Sequence, residues 1–117
     1  MDARQRGKWG EDLALRYLEG KNYTLVERGF RSRFGEIDLI VKDGAFLVFV
    51  EVKLRKNANF AYAREYVGKT KQQKLQATAK FWLLTRKTEL QPRFDVIEIY
   101  AADEGSEPEI IQIENAF

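Results

Sequence analysis

The feature that most restricts the fold is a pair of strand-like runs joined by Asp43-Gly44. Residues 36–42 and 45–53 are rich in β-branched and aromatic side chains, and an Asp-Gly pair between such runs is typical of a tight β-hairpin. A two-residue turn at Asp43-Gly44 would pair Lys42 with Ala45. We therefore expect an antiparallel hairpin over residues 36–53.

One face of this hairpin is acidic. Strand side chains alternate, so Glu36, Asp38, Glu51 and Lys53 project from the same face. Carboxylates held close together repel one another, and burying them costs free energy unless a cation compensates the charge. The opposite face is apolar and predicts burial under a helix layer for Ile37, Leu39, Val41, Phe46, Val48, Val50 and Val52.

The residue types limit the chemistry of this acidic face. The chain has no cysteine and no histidine, which excludes disulfides, thiolate zinc sites and imidazole bases. A site built from oxygen ligands favours Mg²⁺ or Mn²⁺, and such an ion suits phosphodiester hydrolysis assisted by the nearby Lys53. The alternative is an edge hairpin whose Glu51 and Lys53 form an ordinary ion pair in solvent.

The charge is distributed unevenly along the chain. The formal net charge is only +2, but residues 53–93 carry 11 basic and 2 acidic side chains, and residues 94–117 carry none and 7. A basic stretch beside carboxylates suggests a phosphate-rich polymer guided past a cation site. A solvated helix face is the alternative explanation for the basic stretch alone.

Hydrophobic periodicity organises the rest of the chain into helices and further strands. The expected elements are a helix over Trp9–Glu19 ended by Gly20, a strand over Tyr23–Phe30, an irregular stretch over 54–68, a helix from a capping box at Thr70–Gln73 to Thr85, and strands over Phe94–Tyr100 and Ile110–Ile113. The order αβββαββ predicts one α/β domain over residues 1–117, with a mixed β-sheet flanked by helices.

The pattern gives no sign of membrane insertion or export. The start has no apolar stretch behind its charges, and the longest apolar run, 45–50, is far shorter than the roughly 20 residues of a membrane helix. We therefore expect a cytoplasmic protein with no membrane partner.

The hairpin resembles a known nuclease motif. Asp38, followed on the next strand by Glu51-Val52-Lys53, looks like the signature of the PD-(D/E)XK nuclease superfamily, which includes restriction enzymes and archaeal Holliday junction resolvases. Residues 35–40 and 48–55 are similar to the bacterial YraN family of proposed endonucleases, and the similarity extends over nearly the whole chain. The superfamily's proline before the aspartate is replaced here by Ile37.

The resemblance implies a restriction-endonuclease-like fold and assigns roles to individual residues. Asp38 and Glu51 would bind Mg²⁺ or Mn²⁺ with the carbonyl of Val52, and Lys53 would be the catalytic lysine. Glu11 matches a helix glutamate that approaches the metal in resolvase-like members. A boundary glutamate paired with a basic residue is the alternative for Glu11.

We therefore expect a metal-dependent DNA endonuclease that hydrolyses phosphodiester bonds, with branched or junction DNA as one class of substrate. Glu11 and Glu36 are the auxiliary acids. The expected nucleic-acid contacts are Arg31, Arg33, Arg55, Lys71, Gln72 and Lys74. Many relatives in the superfamily act as dimers, so a homodimer is one oligomeric state that the resemblance allows, although the sequence itself does not fix that state. The rival hypothesis is a catalytically silent module with the nuclease fold that binds nucleic acid or protein, and nothing in the sequence separates DNA from RNA.

Overall fold

The structure is a computed structural model, which describes residues 1–56 and 67–117. The elements are α1 (Ala3–Gly20), β1 (Thr24–Ser32), β2 (Gly35–Asp43), β3 (Phe46–Arg55), α2 (Lys69–Leu84), β4 (Gln91–Tyr100) and β5 (Glu109–Ile113). The predicted α/β class and the order αβββαββ are confirmed. Most of the irregular stretch expected over 54–68 lies outside the described residues.

The five strands form one mixed sheet in the order β1-β2-β3-β4-β5. β3 and β4 are parallel, and the other neighbouring pairs are antiparallel. The parallel pair requires a crossover, and α2 lies within that connection. None of the helices in the described ranges is both long and apolar enough to cross a membrane.

Each face of the sheet is covered by one helix. On one face, Ala14 and Leu18 of α1 pack against a group of buried side chains that includes Val48 and Ile97. On the other face, α2 packs against a second buried group: Ile37, Ile40, Leu47, Phe49 and Val96, together with its own Leu75, Ala79 and Trp82. The central strands are therefore buried on both sides, as in α/β domains generally.

This two-sided burial corrects part of the expectation for the hairpin. Leu39, Val41, Val48 and Val50 lie under α1 as predicted. Ile37 is buried on the α2 side instead. Val52 is only partly buried, and Phe46 is 39% exposed, because it is the first residue of its strand and follows the hairpin turn.

The hairpin register also differs from the prediction. Asp43 pairs with Phe46, so the turn residues are Gly44 and Ala45, and Lys42 lies opposite Leu47 instead of Ala45. Gly44 has a φ of 56°, and a glycine with positive φ is favoured at the first central position of a type II′ turn. A shift of two residues leaves the side chains of the paired residues, 39–43 and 46–50, on their predicted faces. Extending this register by one residue brings Asp38 level with Glu51.

The two helices begin earlier than predicted. α1 starts at Ala3 because Asp2 and Gln5 form a reciprocal capping box, which a search for apolar periodicity cannot detect. α2 starts at Lys69 behind Gly68, which makes no side-chain cap, so the capping box expected at Thr70 is wrong. Lys71 lies within the first turn of α2.

Candidate active site

The candidate active site begins where the ladder between β2 and β3 stops. The last paired residues are Leu39 and Val50, and beyond them the backbone N–H of Val52 donates to Asp38 Oδ2 at 2.8 Å. The Asp38 carboxylate thus replaces a backbone acceptor. In a strand, the N–H and C=O of one residue point to the same side, so the Val52 carbonyl also faces this gap.

Glu51 follows on β3 and is only 7% exposed. Its Oε1 lies 3.7 Å from Lys53 Nζ and 3.7 Å from Lys71 Nζ. Lys53 belongs to the same strand, whereas Lys71 comes from the first turn of α2. A buried carboxylate therefore lies between two ammonium groups, on the face of the sheet that α2 covers.

The electrostatics of the two acids are unusual. Burial raises the pKa of Asp38 to about 7, with a further contribution from Glu51, while the Val52 N–H opposes the rise. Glu11 and Glu36 add smaller contributions in the same direction. Burial also raises the pKa of Glu51, against the lowering influence of Lys71 and Lys53. A proton or another cation that neutralises this charge would therefore stabilise the pair.

The oxygen groups at this point fit Mg²⁺ or Mn²⁺. Among residues 1–56 and 67–117, no three acidic side chains converge closely enough to hold a metal ion by themselves. Mg²⁺ is commonly bound through one or two carboxylates and keeps several waters. Asp38, Glu51 and the Val52 carbonyl would supply that partial set of ligands, which suits an ion that must also contact a substrate phosphate.

The two predicted auxiliary acids lie beside the site and are paired with arginines. Glu11 Oε1 is 3.3 Å from Arg28 Nε, and Glu36 Oε2 is 3.4 Å from Arg31 Nε. Both acids and both arginines line an open groove of about 330 Å³ between the start of α1 and the β1–β2 hairpin. Glu11 is thus paired with an arginine, as in the alternative interpretation. Its position beside Asp38 is equally compatible with the predicted role near the metal.

The remaining predicted nucleic-acid contacts fall into two groups. Lys71, Lys74, Arg31 and Arg33 are exposed around the β1–β2 turn and the start of α2. Gln72 instead donates to the Val67 carbonyl at 2.7 Å, an interaction within the chain. Arg55 is partly buried, and its Nε makes no hydrogen bond to the described part of the chain. The roles of all six residues stay predictions.

Sequence reasoning missed two features of this region. Lys71 contacts Glu51, although its sequence position suggested only a phosphate contact. Glu98 of β4 is fully buried, lies beside Lys53 in the strand register and accepts from Tyr100 Oη at 3.1 Å. The detectable signal was an acidic residue inside the otherwise apolar run 96–100.

The raised pKa of Asp38 predicts a pH dependence of stability. The folded state keeps a proton on Asp38 up to about pH 7, whereas an unfolded aspartate loses it near its ordinary value of 3.8. Between these values the folded state binds the extra proton, so the free energy of unfolding should fall as pH rises. Urea unfolding in EDTA between pH 5 and 8 should show this fall in the wild type and a weaker one in Asp38→Asn.

The exposed Asp103→Asn variant provides the control for this measurement and should retain the wild-type dependence on pH. Equal slopes for the wild type and Asp38→Asn would contradict the assignment of the effect to Asp38.

Comparison with known proteins shows the family. Residues 10–99 match the model of the uncharacterised protein family UPF0102. A UPF0102 protein of Thermodesulfovibrio yellowstonii is 46% identical over 111 residues, covering 95% of this chain and 94% of the relative. A UPF0102 protein of Caldicellulosiruptor saccharolyticus is 37% identical over the full length of both chains. One of Aliivibrio fischeri is 46% identical, covering 84% of this chain and 82% of the relative.

The matched range begins within α1 and ends within β4, so it includes Asp38, Glu51, Lys53 and Lys71. Each of these three relatives is more than 30% identical over most of its length. The chain therefore belongs to the UPF0102 family.

Proposed function

We propose that this chain is a Mg²⁺- or Mn²⁺-dependent endonuclease that hydrolyses phosphodiester bonds in DNA. One observation carries the proposal: the half-buried Asp38 and the buried Glu51 form an acidic pair at the end of a strand ladder, with Lys53 Nζ 3.7 Å from Glu51. Burial raises the pKa of both acids even though each has a partner within the chain, and carboxylates perturbed in this way are common at functional sites. The resemblance to the PD-(D/E)XK superfamily supports the same assignment.

Each residue has a distinct role in the proposed reaction. Asp38, Glu51 and the Val52 carbonyl would hold the divalent ion, and the Val52 N–H fixes the Asp38 carboxylate in place. When bound there, the ion would supply Lewis-acid stabilisation of the negative charge that develops on the scissile phosphate. Lys53 places a second positive charge at the same point, where it favours the transition state over the bound substrate.

The charges around the site favour a nucleic acid as the substrate. Lys71 is about half exposed and contacts Glu51, so it can interact with both the acidic pair and an incoming phosphate. Lys74, Arg31 and Arg33 extend the positive surface over α2 and the β1–β2 turn. Such a distribution attracts the phosphate backbone without dependence on sequence. A chromosomal DNA substrate would place the protein in the cytoplasm.

Metal binding at the acidic pair has a thermal signature. Saturating Mg²⁺ or Mn²⁺ should raise the Tm of the wild type by several degrees, because an ion bound only by the folded state stabilises that state. Asp38→Asn and Glu51→Gln should each lose this increment, since each removes one of the two charged ligands. Differential scanning calorimetry with and without EDTA measures the effect.

The matched control is Glu104→Gln, in the exposed acidic turn before β5, which should keep the full increment. A metal increment that survives in both Asp38→Asn and Glu51→Gln would place the ion elsewhere. A silent binding module would show DNA binding with no metal increment at these two residues.

A further inference from the structure

An exposed aromatic pair lies beside the candidate active site. The Phe34 ring in the β1–β2 turn is 5.8 Å from the Phe81 ring of α2, with an angle of 58° between their planes. Phe34 is 36% exposed and Phe81 is 41% exposed. Phe30 stacks behind Phe81 at 6.4 Å and is itself held under the Arg86 guanidinium at 5.3 Å. Phe30 therefore packs against the pair from the protein side, and the pair is exposed to solvent on the other side.

The surroundings of this pair are basic. The Arg33 guanidinium lies 4.9 Å from the centre of the Phe34 ring, and both residues are exposed. Lys74 is exposed on α2, seven residues before Phe81 and therefore on the same side of the helix. Arg86 is not counted in this surface, because it lies 3.5 Å from Glu27.

The aromatic pair is joined to the active site by rigid elements. A Cβ at Gly35 would lie 3.1 Å from Thr78 Oγ1 and 3.7 Å from Lys74 Cβ, so the β1–β2 turn is packed closely on α2. Lys71, which contacts Glu51, and Phe81 are ten residues apart on this helix, or about 15 Å along its axis. That length corresponds to about four nucleotides at the stacked spacing of 3.4 Å per nucleotide.

We propose that Phe34 and Phe81 form a stacking platform for unpaired bases of the DNA substrate, with Arg33 and Lys74 contacting the backbone phosphates on either side. This proposal rests on the proposed function, and it specifies the substrate as DNA with a single-stranded segment next to the scissile bond. Aromatic faces accept any base, whereas a duplex keeps its bases stacked on one another and offers none to the platform. A base that stacks on the Phe34 ring would displace the Arg33 guanidinium from it. The displaced guanidinium could then contact the phosphate of the same nucleotide.

Binding of labelled oligonucleotides in EDTA tests the platform without requiring cleavage. The double variant Phe34→Leu/Phe81→Leu keeps apolar side chains but removes both rings. It should weaken binding of single-stranded DNA by about tenfold or more and leave duplex affinity unchanged. The matched control is Phe46→Leu. Phe46 follows the β2–β3 turn, is exposed to a similar extent (39%), and has the Arg93 guanidinium 5.0 Å from its ring centre. Phe46→Leu should bind single strands like the wild type.

A second measurement uses the wild type alone and does not depend on the folding of a variant. A single strand carrying 2-aminopurine should lose fluorescence on binding as the base stacks on a ring. An otherwise identical strand with abasic positions should bind the wild type more weakly, by about tenfold or more. Wild type that binds both strands equally, or binds no single strand, overturns the platform.

Other outcomes separate the platform from the proposed function. One such outcome is base stacking together with weaker single-strand binding by Phe34→Leu/Phe81→Leu, but no cleavage of any DNA. It would support the platform and count against the endonuclease. Metal-dependent cleavage with single-strand affinity unchanged in that variant would support the endonuclease and overturn the platform. A wild-type dimer that becomes monomeric in the variant, with unaltered DNA affinity, would show that a second copy covers the rings and would overturn the platform.

Discussion

Replacing Lys53 with alanine is expected to lower the rate of DNA cleavage by at least about 100-fold and to leave DNA affinity nearly unchanged. Lys53 Nζ lies 3.7 Å from Glu51 Oε1, at the acidic pair, so in the proposed reaction its charge would act where negative charge develops. In the proposed complex, DNA affinity would be spread over many basic residues, so the loss of one should change it little. Single-turnover cleavage at saturating enzyme, together with equilibrium binding in EDTA, measures the two effects separately.

Lys42→Ala is the matched control for this experiment. Lys42 is an exposed lysine on β2 near the hairpin turn, at the opposite end of the same pair of strands, and its loss should not change the cleavage rate. Lys74→Ala should show the converse of Lys53→Ala, with weaker binding, a salt dependence reduced by about one contact and unchanged turnover at saturation. Cleavage that persists undiminished in Lys53→Ala would come from another nuclease and would contradict the role of Lys53.

Replacing Asp95 with alanine is expected to cost about 3–5 kcal/mol of the free energy of unfolding, because it removes the fully buried carboxylate that pairs with a buried arginine. Asp95 is fully buried, and Arg93 donates to both of its carboxylate oxygens at 2.9 Å. Gln112 Nε2 and the Asn115 N–H also donate to Asp95, at 2.9 and 3.0 Å. A loss of this size is a large part of the total stability of a small domain, so urea unfolding should show it directly.

Asp43→Asn is the control for Asp95→Ala. The Asp43 carboxylate accepts from the same arginine at 3.1 Å, but its side chain is 36% exposed, so water can replace it. Its substitution should cost less than about 1 kcal/mol. Equal losses in the two variants would show that Asp95 has no special part in holding Arg93.

The hairpin and its acidic face could be predicted because they depend on local rules. An alternation of two residues fixes which side chains share a face, and it placed Glu51 and Lys53 on one side of β3. The pairing of Lys42 was wrong by two residues because the position of Gly44 within the turn depends on the turn type. The faces of the paired residues, 39–43 and 46–50, were unaffected because the error was an even number of residues.

The features that could not be predicted depend on contacts between distant parts of the chain. Lys71 reaches Glu51 only because α2 packs across the sheet, and the two residues are twenty positions apart. The hydrogen bonds to Asp95 of β4 come from Gln112 and Asn115, near the end of the chain, and no local sequence pattern indicates that these residues contact Asp95. The burial of Ile37 on the α2 side likewise depends on where the ladder between β2 and β3 ends.

The most direct test of the proposed endonuclease is cleavage of a panel of DNA substrates by purified wild type and Glu51→Gln. The panel contains single-stranded, duplex, flap and four-way-junction DNA, each with Mg²⁺, Mn²⁺ or EDTA, and a matched RNA strand. We expect the wild type to cut at least one DNA substrate with Mg²⁺ or Mn²⁺ and none in EDTA, and Glu51→Gln to cut none. No cleavage of any substrate by the wild type with either metal, or equal cleavage by Glu51→Gln, would contradict an active site at Asp38, Glu51 and Lys53.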